Sequence, residues 1–157
     1  CSKKQSDESW LSDVEEYYYM AKAIMETIDD ALSSDFLTSP SIENFEALAV
    51  QLNNATLSLP YFLENLKRIP QPTSTIARDA HKSLMSSLKS YNSGIPHWAR
   101  FMSDYSGPVG QRVINETGFA QRAAFTRLRS SWEYFKICVE KGQRELRIIE
   151  QYMVKNS

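Results

Sequence analysis

Ser86 and Lys89 stand three residues apart in "SSLK", the Ser-x-x-Lys spacing in which a lysine one helical turn away takes the proton of a nucleophilic serine. That chemistry needs more than the pair. The Ser-Asp-Asn and Lys-Thr-Gly elements of such acyl-transfer sites are missing, and two fixed residues in four recur by chance. His81 and His97 form neither a His-x-x-x-His nor a Glu-x-x-His pattern, so the ligand sets of di-iron bundles are not encoded, and His81 is expected on a helix surface and His97 in a turn or cap. A haem between His81 and a methionine of another helix (Met20, Met25 or Met102) is geometrically conceivable, although no motif fixes it. There is no Gly-x-Ser-x-Gly, no phosphate-cradling glycine loop and no zinc-type cysteine spacing. The neighbouring acids Glu15 and Glu16, or Asp29 and Asp30, point in different directions on a helix and make no acid/base pair. The expectation is a protein without catalytic activity, metal or cofactor.

Residues of the kind that anchor interfaces are easier to find. The stretch "GIPHWARFMSDYSGPVG" carries Trp98, Arg100, Phe101 and Tyr105 in the least regular part of the chain, and irregular segments on a rigid scaffold often carry binding. The competing expectation is that Trp98 and Phe101 close one end of the core. Arg122, Arg129 and Lys136 recur at seven, which sets three cations along one side of a helix. They fit an acidic or anionic partner, or simply a solvated face paired with the acidic first helix.

Cys1 followed by the polar run "SKKQSDES" resembles the mature N-terminus of a bacterial lipoprotein, cut before an acylated cysteine. The resemblance covers about nine residues and gives a processing class, not a functional family. It implies lipidation at Cys1, a tether over residues 1–9, and a place on the outer side of a bacterial membrane. Cys138, in "FKICVE", then reads as an inert thiol beside an apolar stripe, with a Cys1–Cys138 disulfide as the alternative.

Composition agrees with a folded globular protein. The 157 residues suffice for one core, and 42% hydrophobic against 24% charged residues is ordinary for a globular domain. Net charge is only −1, but it is unevenly laid out: residues 1–66 hold 3 Lys/Arg and 12 Asp/Glu, residues 67–157 hold 15 and 7. Near-neutrality argues against a nucleic-acid partner. The functional expectation is a lipid-anchored accessory subunit or adaptor that binds another envelope protein. The alternative is a carrier with haem or an apolar molecule between its helices.

The elements that must position these residues follow from apolar spacing. Leu11, Tyr18, Met25 and Leu32, with Val14, Ala21 and Ile28 and with Trp10, Tyr17, Ile24 and Ala31, form adjacent rows seven apart, a wide helical stripe. A second helix is expected from Ser39 and Pro40, through Ile42, Phe45, Ala49, Leu52, Leu59, Leu63 and Leu66, kinked near Pro60 and closed by "IPQP". A third, about 74–92, presents Ile76, Ala77, Ala80, Leu84, Leu88 and Tyr91. A short helix near 97–104 then leads to a last segment over 111–154, broken at Thr117 and Gly118, after which Phe125, Leu128, Trp132, Phe135, Val139, Leu146, Ile149 and Met153 hold a helical stripe. The sum is an all-α, antiparallel up-down four-helix bundle over residues 10–157.

Overall fold

The computed structural model describes residues 4–32 and 42–156, with side chains described for 4–30, 49–113 and 115–156. The fold is all-α. Helix α1 spans Asp7–Leu32, α2 Ile42–Arg68, α3 Thr75–Ser93, α4 Ile95–Ser106, α5 Pro108–Asn115, α6 Gly118–Glu145 and α7 Arg147–Lys155. Two short strands, β1 (Lys4–Gln5) and β2 (Gln71–Pro72), pair in parallel.

Each long helix buries the stripe that its spacing marks. On α1 the core residues are Trp10, Val14, Tyr18, Ala21, Met25 and Ile28, while Tyr17 and Ile24 lie at its edge. On α2 they include Leu52, Leu59, Phe62, Leu63 and Leu66. The Ser39–Pro40 start expected for this helix falls outside the described residues. Pro60 does not end α2, which runs on through it. Pro60 itself is exposed, and the carbonyl that loses its N–H partner is that of Thr56, one turn back.

Ser74 caps α3, its hydroxyl accepting from the Ala77 N–H at 3.1 Å. Ile76, placed in the sequence stripe, is largely exposed at the helix start. Residues 4–9, expected as tether, are built into the fold: Lys4 and Gln5 pair with β2, and the Gln5 side-chain amide donates to the Pro70 carbonyl at 2.8 Å. Asp7 Oδ1 accepts from the Ser74 backbone N–H at 3.0 Å, and these hydrogen bonds hold its carboxyl below the usual range. The polar residue types of this stretch fit a spacer equally well, which is why composition did not separate the two.

The expected break before Gly118 is present, with Gly118 at φ +65°, a conformation that favours glycine. A second break follows at Leu146. There Ser83 Oγ donates to the Glu145 carbonyl at 2.5 Å and accepts from the Ile149 N–H at 3.1 Å. Those two backbone groups are partners in an uninterrupted helix, so the serine of α3 has inserted itself into the ladder. Two more hydroxyls extend the contact: Ser87 donates to the Gly142 carbonyl at 2.6 Å, and Ser90 donates to the Glu145 carboxylate. Spacing of 83, 87 and 90 puts all three on one face of α3.

Close approach makes this possible. A Cβ on Gly142 would lie 2.3 and 2.4 Å from ring carbons of Tyr91. Gly142→Ala is therefore expected to destabilise by about 1–3 kcal/mol through overpacking, and by less in a Tyr91→Ala background where the ring contact is gone and the Ser87 carbonyl at 3.1 Å remains. Urea unfolding of the two singles and the double checks this; additive costs would show that the ring contact is not the cause.

Candidate functional site

Four of the buried polar residues among those described, His81, Ser83, Ser87 and Ser90, lie on α3. Trp10 Nε1 donates to His81 Nδ1 at 3.0 Å, and the Trp10 ring meets Tyr152 edge-on with centroids 5.5 Å apart. His81, expected on a helix surface, is only 4% exposed. Its neighbours in sequence explain the error. Ala77, Ala80, Leu84 and Leu88 fix the core face of α3, and position 81 falls beside Ala77 and Leu84 on that face. Burial lowers the His81 pKa. With Nδ1 accepting from Trp10, the neutral ring carries its proton on Nε2.

His81 also lines a recess of about 390 Å³ at the surface, together with Lys67, Ile69, Gln71, Lys82, Met85, Ser86 and Lys89. The Ser86 and Lys89 of the Ser-x-x-Lys spacing thus share one recess with a histidine. Its methionine is Met85, not Met20, Met25 or Met102. Met25 is buried with Sδ 3.8 Å from Ser87 Oγ, Met20 is exposed, and neither they nor Met102 line the recess of His81. Among the described residues no group of three or more His, Cys, Asp or Glu could hold a metal ion.

The aromatic residues expected at a contact surface lie in the core. Trp98, Phe101 and Tyr105 are buried at three-four spacing along α4. Trp98 stacks on Phe101 with centroids 5.5 Å apart, Phe101 meets Trp132 of α6 at 5.2 Å, and Trp98 Nε1 donates to Asn53 Oδ1 of α2 at 2.9 Å. The signal was present in the sequence: 98, 101 and 105 keep helical spacing even in a segment rich in Gly and Pro. Arg100, between them in sequence, is exposed. His97, expected in a turn or cap, stacks on Tyr134 of α6 at 5.4 Å.

Arg122 and Arg129 are exposed on α6 and Lys136 is half-buried. Arg129 pairs with Glu133 of its own helix at 3.8 Å. The acidic α1 packs mainly against α2, while α6 packs mainly against α3, α4 and α5. Pairing of the α6 cations with the first helix is thus not what organises this face. Tyr134 and Ile137 stand among these charges with more than half of their surface exposed.

One acid of α1 does turn inward. Asp29 Oδ1 accepts from the Tyr91 hydroxyl at 3.0 Å. Burial pushes the Asp29 carboxyl up, against hydrogen bonds from Gln143 and Tyr91 that pull it down. Burial and then the nearby Asp29 push the Tyr91 hydroxyl far above its usual value. Cys138 is a free, half-buried thiol, and Cys1 lies outside the described residues.

No family model, curated protein or solved structure matches the chain. The chemistry must therefore be read from the geometry. It offers a basic recess and a basic helix face.

The buried histidine sets a pH dependence. Its folded pKa is lowered, so below the ordinary value near 6.5 the unfolded chain binds more protons than the folded one. The stability it contributes is complete above about pH 6.5 and is lost as pH falls toward the folded value. Thermal midpoints between about pH 7 and 5 should fall more steeply for the native chain than for His81→Gln; parallel slopes would exclude His81 as the cause.

Proposed function

We propose that this chain is a non-enzymatic helical binding module, an accessory subunit or adaptor that meets an acidic partner protein with the outer face of α6. The observation that carries the reading is the exposure of Tyr134 and Ile137 among Arg122, Arg129, Lys136 and Lys141 on one helix. Tyrosine and arginine dominate interface energetics, and apolar side chains surrounded by charge form an apolar centre with a polar rim. The aromatic residues of α4 serve this surface from below: Trp98 and Phe101 pack against Trp132 and Phe135 and hold α6 in place.

In this reading the long helices α1, α2, α3 and the α6–α7 pair form an antiparallel four-helix bundle. The packing of α1 on α2, α2 on α3, and α3 on α6 and α7 supports it, as does the short link between Arg68 and Thr75. No helix among the described residues is long and apolar enough to cross a membrane.

A photocrosslinking residue at Ser130, on the exposed side of α6, should capture a discrete protein, whereas one at Gln51 on α2 should not. Arg129→Ala with Ile137→Ala should abolish capture and leave the thermal midpoint within about 2–4 °C. No adduct, or equal adducts from both positions, would overturn the adaptor reading. Trp98→Ala, by contrast, should cost about 3–5 kcal/mol of stability, because it empties a core site.

A further inference from the structure

We infer that the recess between the end of α2, β2 and α3 is a binding site for a small phosphate-bearing ligand, held by Lys82, Lys89, Ser86 and the Nε2–H of His81. The inference is independent of the α6 face, which lies on another helix.

Three observations converge on it. First, the walls carry the ammonium groups of Lys67, Lys82 and Lys89 and no carboxylate. Glu64, 3.0 Å from Lys67, answers one of these charges. Among the described residues no ion pair holds Lys82 or Lys89. Second, positions 82, 85, 86 and 89 repeat at three and four, so a single face of α3 presents both free cations with Ser86 and Met85 between them. Third, His81 is almost wholly buried and yet has a donor directed out of the core. Trp10 occupies Nδ1, and no described residue accepts from Nε2. The buried, unpartnered side-chain nitrogens and oxygens among the described residues come down to Asn65 Nδ2. His81 Nε2 therefore keeps contact with solvent, and the recess that His81 lines is the way to it.

The chemistry selects the ligand. Two uncompensated ammonium groups repel each other, and an anion between them relieves that repulsion. The neutral imidazole, the Ser86 hydroxyl and the Gln71 amide add donors to its oxygens. A tetrahedral group with three acceptor oxygens and nearly two negative charges uses all of these, where a carboxylate uses two oxygens and one charge. The recess, at about 390 Å³, suits a small molecule.

The test titrates the full chain with inorganic phosphate, followed by amide and imidazole NMR shifts. Saturable shifts should centre on Gln71, His81, Lys82, Ser86 and Lys89. Lys82→Gln with Lys89→Gln should weaken binding by about tenfold or more, while Arg127→Gln with Arg144→Gln on α6 should leave it unchanged. His81→Asn keeps an acceptor for Trp10 but removes the outward donor, and should weaken binding without loss of fold. Shifts that never saturate, or that both double variants reduce alike, would mark general ion screening and overturn the site. Vesicles of phosphatidylglycerol separate the source: if they compete with phosphate the group belongs to a lipid headgroup, and if they do not it belongs to a soluble molecule. In either case the phosphate site stands.

Discussion

The contact on which the rest of this fold depends is the seam between α3 and the α6–α7 pair, where a row of serine hydroxyls meets the carbonyls around a glycine. Helices normally keep their backbones 8–10 Å apart because side chains intervene. Here Gly142 supplies no side chain and Ser87 a small one, so the Ser87 hydroxyl reaches the Gly142 carbonyl directly. Ser83, one turn away, takes the place of a backbone hydrogen bond at Leu146 and lets α7 depart from the line of α6. Each bond contributes only about 1 kcal/mol net, and those of Ser83 also satisfy the Glu145 carbonyl and the Ile149 N–H, whose loss of a partner would cost more. The seam is therefore specific as well as stabilising. It admits one register of α3 against α6.

That register has consequences at both ends of α3. Toward its N-terminus, α3 turns His81 inward to meet Trp10, and this same rotation turns Lys82, Ser86 and Lys89 outward along one edge. The clasp of β1 on β2, with Asp7 bound to the Ser74 N–H, ties the start of α1 to the start of α3 and so holds Trp10 at its histidine. Toward its C-terminus, Tyr91 spans from Gly142 to Asp29 and joins α1 to the seam. Beyond α3, the aromatic cluster of α4 takes over as the support of α6. Core packing and surface chemistry are thus set by one alignment.

Much of this was legible in the residues. Helical spacing identified the core of α1 from Trp10 to Ile28, the extent of α3, the break before Gly118, and the stripe from Leu128 to Met153. It did so because a 3.6-residue period with one apolar face has few other solutions in water. The candidate sites were less legible. Trp98, Phe101 and Tyr105 look alike as interface anchors and as core; only the presence of Trp132 and Phe135 opposite them makes them core. His81 has the same ambiguity, since a polar residue next to a core face is buried only when a partner such as the Trp10 indole awaits it.

The sequence by itself determined the helices, most of the faces they bury, and the absence of a recognisable catalytic motif, because these depend on residue type and short-range spacing. Tertiary structure alone decided which polar residues meet. Lys67 and Gln71 reach the same recess as His81 and Lys89 only because α2 and β2 pack beside α3, and Ser83 finds the Glu145 carbonyl across 62 residues of chain. Such pairings carry no local signature. They are selected by the need to satisfy each polar group that packing takes out of water, and that need exists only once the helices are together.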